Sequence, residues 1–212
     1  MINPAGLRSR FRGTLLGLAL GDALGAPVEG MPPGEHKIPD LDILRYTDDT
    51  EMMINLSECL LECRDFTPEN VAVYYLKNLN PSRGYGPGAL RTLALIKEGV
   101  PIEEANRQVF PEGSIGNGAA MRVAPVGLAY CDVSSEELKN AVDIASLPTH
   151  AHLVAREGAF IVAFTISLVI RGLKHTEILH EIEAHITQPL LLDKITTIKT
   201  LLAGSPEKEE VI

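Results

Sequence analysis

The stretch TEMMINLSECLLEC, residues 50–63, sets Met52, Leu56, Cys59, Leu60 and Cys63 at helical intervals, and that spacing decides how the chain folds. Apolar residues at this period share one side of an α-helix, whereas a half-buried strand alternates at every second residue. Further along, Leu90, Leu93, Ala94 and Lys97 mark another stripe, which Gly99 stops. Ser134 opens a helix with Glu137 three positions on, the spacing of a capping box in which each side chain meets the other's backbone N–H. The stretches 151–171, 176–186 and 189–203 keep the helical period, and strand-like alternation is short and rare. The expected fold is all-α, a single domain over residues 1–212 without linker, repeat or low-complexity segment.

Gly13, Gly17, Gly21 and Gly25 recur every four residues through RGTLLGLALGDALGAPVEG, residues 12–30. Each glycine costs about 1 kcal/mol of helix propensity, which close packing against another backbone must offset. This first helix is therefore expected at the centre of the fold.

A chain of 212 residues with 45% apolar and 22% charged residues has the composition of a globular protein with a sizeable core. Its net charge of -9 and its lack of Trp argue against a nucleic-acid binder, which needs clustered cations and stacking platforms. Cys59 and Cys63 stand one helical turn apart, but no four-ligand zinc set surrounds them. With Cys131 they read as reduced thiols, and the expected location is cytoplasmic. The longest apolar run, Gly158–Ile170, is too short to span a bilayer and reads as a buried core helix, so no membrane partner is expected.

Thr47, Asp48, Asp49 and Thr50 place two acids side by side at the start of the helix. Like charges about 4 Å apart repel by ~1 kcal/mol even in water, so the pair has to be useful. One use is capping, with Asp48 as N-cap and Glu51 at the third helical position. The other is a hard cation such as Mg²⁺, which takes carboxylate, hydroxyl and water oxygens. Glu29, in the loop APVEGMPPGEHK of residues 26–37, is a further acid at hand. Two glycine-rich loops, SRGYGPG (82–88) and EGSIGNGAAMR (112–122), precede helical patterns, as loops that cradle phosphate on backbone N–H groups do. Neither ends in the Lys-Ser/Thr of a Walker loop. In LPTHAHLVAREGAF, residues 147–160, His150 and His152 open the long apolar helix. Two residues apart on a helix, they point different ways and do not share a metal; the other four histidines read as surface residues.

Taken in order, GLALGDALGAPVEG, YTDDTEMM, GYGPGALR, GSIGNGAAMRVAPVGL and THAHLVAREGAF resemble the ADP-ribosylglycohydrolases, the group containing dinitrogenase-reductase-activating glycohydrolase and the ADP-ribosyl-acceptor hydrolases. The resemblance implies a compact orthogonal helical domain, and Mg²⁺-dependent hydrolysis of ADP-ribose from a protein side chain or small molecule. By the same resemblance Thr47, Asp48 and Asp49 hold the metal, the two acids share in catalysis, and Glu29 is the acid/base beside the scissile bond. Gly84, Tyr85 and Gly86, with Ser114, Gly116, Asn117 and Gly118, correspond to the ADP-ribose cradle, and His150 to a residue near the diphosphate. Met121 and Arg122 correspond to loop-holding residues, and Ile115 stands where some relatives carry an aromatic ring for adenine.

The family pattern also includes an Asp-x-Asp-Thr motif near the C-terminus. Here LLLDKITTIKTLLAGSPEKEEVI, residues 190–212, offers Asp193 alone. The resemblance therefore implies a C-terminally truncated form, the N-terminal two-thirds of the fold. Where the family holds two Mg²⁺ ions, it would hold one or bind it weakly, and its open side would be covered by a partner chain. The alternative to a hydrolase is an ADP-ribose-binding remnant with impaired catalysis.

Overall fold

In the computed structural model, residues 4–32, 34–37 and 44–204 are described. The opening stripe becomes helix α2 (Asp48–Glu62), with Met52, Leu56 and Cys59 buried. Before it comes α1 (Pro4–Gly25); after it come α3 (Pro68–Lys77), α4 (Pro87–Lys97), α5 (Ile102–Val109) and the short α6 (Ala124–Ala129). The chain continues through α7 (Ser135–Ser146), α8 (Leu153–Arg171), α9 (His175–His185) and α10 (Pro189–Ala203). Among the described residues there is no strand, and the fold is all-α.

Local chemistry explains the helix ends. The capping box of Ser134 and Glu137 starts α7 with both reciprocal bonds made. Thr67 accepts from the Asn70 N–H, and Pro68 supplies the first residue of α3. Gly99 beyond α4 and Gly172 beyond α8 both take φ +93°, a left-handed conformation that a β-carbon disfavours.

Helix α8 is the centre. It packs on α6 and α7, and also meets α9, α10 and α1. Ala159, Phe160, Ala163, Phe164 and Leu168 are buried along it, and the two phenyl rings stack with centroids 5.2 Å apart. On α6, Gly127 lies so close to α8 that a β-carbon there would stand 2.6 Å from the Ala163 carbonyl oxygen. Glu157, buried on α8, accepts from the N–H groups of Thr187 and Gln188 and from the Thr187 hydroxyl, and so ties the segment that enters α10 to α8. By length and composition alone α8 could cross a membrane, with a mean hydropathy of 1.9; half of it is buried within this fold. Leu153, Val162 and Val169 are exposed.

The expectation of a central first helix is not met. Among the described side chains of α1 only Ala23 is buried, while Leu16 and Leu20 are exposed. A β-carbon at Gly13, Gly17, Gly21 or Gly25 would meet nothing within 4 Å. Fourfold glycine spacing makes a bare ridge, but nothing in that spacing says what lies against it. His185 is a second departure: it is half-buried, its ring 4.9 Å from that of Phe164, rather than at the surface.

The two kinds of glycine have opposite expected responses. Gly17→Ala should stabilise the protein by about 0.5–1 kcal/mol, because alanine is the better helix former and meets no neighbour. Gly127→Ala should cost about 2 kcal/mol or more, since backbone stands in the way. Chemical denaturation of the two variants checks both signs.

Candidate active site

The acidic pair owes its position to a residue on another helix. Thr47, not Asp48, is the N-cap of α2: its hydroxyl accepts from the Asp49 N–H. Asp48 becomes the first residue of the helix itself. Asp22, near the end of α1, accepts from the Thr47 N–H (2.9 Å) and hydroxyl (2.6 Å), and from the Thr50 N–H (3.2 Å) and hydroxyl (2.5 Å). One carboxylate thus satisfies two backbone donors and both threonines, and joins α1 to α2. Sequence reading missed this role, because Asp22 showed there only as an isolated acid in an apolar glycine helix.

Glu51 does no capping either. It is buried and turned to the first glycine loop, accepting from the Asn80 N–H (2.8 Å) and the Tyr85 hydroxyl (2.8 Å). Tyr85 is therefore directed into the core and does not border the cavity, so its expected contact with substrate is corrected to a loop anchor. Burial and Glu51 together push its hydroxyl pKa well above the ordinary phenol range. Gly84, with φ +96°, turns the chain where a β-carbon would face Asp48 Oδ1 at 3.7 Å.

The second loop rests on a buried polar chain. Arg122 is fully buried beneath the Tyr75 ring, 4.4 Å from its centroid. Its Nη2 donates to the Ala145 carbonyl (3.1 Å) and to the Thr149 hydroxyl (2.9 Å). Thr149 Oγ1 lies 2.8 Å from His150 Nδ1. A hydroxyl oxygen has one proton and two acceptor sites, so Thr149 Oγ1 serves either tautomer of His150 while it accepts from Arg122. The ring underlies the loop: a β-carbon at Gly118 would stand 2.5 Å from Cε1, and one at Gly116 3.5 Å from Nε2. Burial, reinforced by Arg122, lowers the His150 pKa to about 3, so the ring is neutral at physiological pH. His152 serves elsewhere, capping α8 through the Val154 N–H.

These elements enclose a cavity of about 310 Å³. Glu29, Asp48, Asp49, Gly84, Gly86, Ser114, Gly116, Asn117, Gly118 and His150 all border it. Of the residues expected at the site, Thr47 and Tyr85 alone do not. Arg122 and Phe110 border it too. The ring of Phe110, 40% exposed, offers a flat surface that the sequence had not singled out, while Ile115 is exposed and outside the lining. Among the described residues Arg122 Nε has no hydrogen-bond partner, and no carboxylate lies within ion-pair distance of this guanidinium.

Among the described residues Asp48 and Asp49 form no salt bridge, and Arg122 offsets the charge of Asp48 only in part. Partial burial pushes both carboxyls up to about 6, and repulsion from Glu29 and Asp22 adds to it. Among the described residues no three carboxylate, imidazole or thiol groups are grouped to share a metal ion. The donor set present is two carboxylates with a threonine hydroxyl already bonded to Asp22. That set fits one largely hydrated divalent cation and does not fit two.

A helical cradle of glycine loops over paired acids defines a class, and comparison with known proteins gives the same one. The sequence profile of the ADP-ribosylglycohydrolases matches residues 3–212, and the chain belongs to that family. It is 36% identical to an uncharacterized protein of Archaeoglobus fulgidus, over 83% of this chain and 61% of that one. It is 32% identical to the ADP-ribosylhydrolase ARH3 of Gallus gallus, over 77% of this chain and 51% of that one. A solved ADP-ribosylglycohydrolase-related protein complex has a similar fold, with a TM-score of 0.71 and 30% identity. That similarity covers 90% of this chain and 67% of the solved one. The chain thus spans about half the length of the ARH3 relatives it matches.

Two variants test the electrostatics. Asp22→Ala removes four hydrogen bonds at once and should cost about 3 kcal/mol in denaturant titrations. For Asp49, a raised folded-state pKa means that the folded protein binds the extra proton between about pH 4 and pH 6, so ionisation there lowers stability. Asp49→Asn should therefore match the parent near pH 4. By pH 7.5, without metal, it should be the more stable by about 1 kcal/mol after allowance for solvent screening. Melting curves across that range read the difference.

Proposed function

We propose that this chain forms the ADP-ribose-holding part of a hydrolase that cleaves the glycosidic bond between ADP-ribose and its acceptor. The observation that carries this reading is that two glycine loops, a neutral buried imidazole and three carboxylates border one cavity. The backbone N–H groups of Asn117 and Gly118 and, in the tautomer protonated there, His150 Nε2 are the donors for a diphosphate, while the Gly116 N–H is held by Ser114 Oγ. Arg122, which forms no salt bridge among the described residues, supplies positive charge beneath them. The exposed face of Phe110 suits a purine. The ribose then lies toward Asp48 and Asp49, whose carboxylates orient its hydroxyls, and Glu29 is the acid/base that moves a proton to or from water at the anomeric carbon. Mg²⁺, when bound at the paired acids, would neutralise their repulsion and polarise an oxygen held there. A cytoplasmic location belongs to the same proposal, supported by the unpaired thiols of Cys59, Cys63 and Cys131.

A second reading, an ADP-ribose-binding protein with little turnover, is favoured by one observation. Two carboxylates and a committed threonine are a poor set for a dinuclear centre.

Calorimetry with ADP-ribose tests the cradle. Phe110→Ala should weaken binding by about tenfold, the scale of one base–aromatic stack. Gly118→Val should abolish it, because the side chain would enter the His150 ring. Asp49→Asn should leave the free ligand's affinity within about twofold, as the acids face the ribose rather than the phosphates. Loss of binding in Asp49→Asn with both other variants unaffected overturns the assignment. Release of ADP-ribose from modified peptides with and without Mg²⁺ separates the hydrolase from the binding protein.

A further inference from the structure

A second cavity, of about 690 Å³, opens beside the first and shares Glu29 and Gly84 with it. Its lining also includes Arg45, Tyr46, Asn80 and Arg83, none of which holds any part of ADP-ribose in the reading above. Arg83 and Tyr46 form a built pair. The guanidinium carbon stands 3.8 Å from the tyrosine ring centroid, and Nη1 donates to the Tyr46 carbonyl at 2.9 Å. Glu51, 3.9 Å from Arg83 Nε, fixes the guanidinium from behind. Tyr46 remains 37% exposed, and Arg45 is exposed beside it.

A glycosidic substrate has two sides. If the glycine loops hold the ADP-ribosyl side, the acceptor has to leave the anomeric carbon past Glu29, and the space beyond Glu29 is this second cavity. Of the charges lining it, Arg83 is paired with Glu51 and Glu29 is shared with the first cavity, so Arg45 is the lining cation that forms no salt bridge among the described residues, in a chain whose net charge is -9. Asp48 and Asp49 border the first cavity and not this one, and Gly84, whose β-carbon would stand 3.7 Å from Asp48 Oδ1, borders both.

On the glycohydrolase reading above, we propose that this cavity is the acceptor subsite, taking a peptide with carboxylates beside the modified residue. Arg45 supplies the attraction, and the Tyr46–Arg83 pair is the platform on which the peptide lies. A peptide with lysines in those places meets like charge and is disfavoured.

The test uses two fluorescent peptides that carry the same ADP-ribosylated serine, one flanked by glutamates and one by lysines, with free ADP-ribose as the reference ligand. Binding to the full chain is followed by anisotropy for the peptides and by calorimetry for ADP-ribose. The glutamate peptide should bind about tenfold more tightly than the lysine peptide, as expected for one well-placed charge contact. Arg45→Glu should remove or reverse that preference, and Tyr46→Ala should weaken both peptides. Free ADP-ribose should stay within about twofold in both variants. Arg45 is exposed, so its replacement leaves the core intact. Equal binding of the two peptides overturns the acceptor subsite while leaving the ADP-ribose cradle standing. So does an Arg45→Glu loss as large for free ADP-ribose as for the peptides. If free ADP-ribose does not bind the parent protein, the functional reading itself fails, and this inference with it.

Discussion

Four hydrogen bonds to the carboxylate of Asp22 hold the start of α2, and the arrangement of the site follows from them. A helix N-terminus leaves backbone donors unsatisfied, and a carboxylate from outside is the strongest neutral-pH acceptor available to them. With that end fixed, Asp48 and Asp49 have one orientation. Glu51, one turn deeper, then reaches the loop that carries Gly84 and Gly86. On the opposite side Arg122, Thr149 and His150 support the loop of Gly116 and Gly118. Each polar support is buried or half-buried, so each is electrostatically stronger than it would be in water. The same burial leaves the acid pair short of countercharge.

What the sequence made legible was whatever depends on near neighbours in the chain. The stripe of α2, the capping box of Ser134 and Glu137, and the stop at Gly99 are local physics, and they stand as expected. The cavity gathers acids and loops spread from Glu29 to His150, and their grouping was legible only as a set of motifs in order. Partners far apart in sequence were not legible. Asp22 meets Thr47 across 25 positions, and Glu51 meets Tyr85 across 34, so no periodicity links them. Tyr85 illustrates the cost: in a glycine loop a tyrosine reads as a ligand contact, yet here its ring is core and its hydroxyl an anchor. The bare ridge of α1 misled for a related reason, since small residues record that something can approach and not that it does.

Membership in the ADP-ribosylglycohydrolases and the half-length coverage of ARH3 relatives bear on the same electrostatic feature. Adjacent half-buried acids with raised pKa are costly in isolation. A cation or further donors brought to that place would turn the cost into affinity. The glycine-loop side of the cavity has no such deficit, since uncharged backbone and a neutral ring held by a hydrogen bond within the fold line it. The loop side and the acid side of the cavity thus differ in what they need from outside.

The contact of Gly127 with the Ala163 backbone has a reach beyond packing. Helix α6 begins two residues after Arg122, so the depth at which α6 seats on α8 also sets the height of the loop of residues 113–123 above His150. The bare glycine acts as a spacer of fixed thickness between core and cradle. A methyl group there would press on the Ala163 backbone, and the strain would fall on the helix that leads straight out of the loop bordering the cavity.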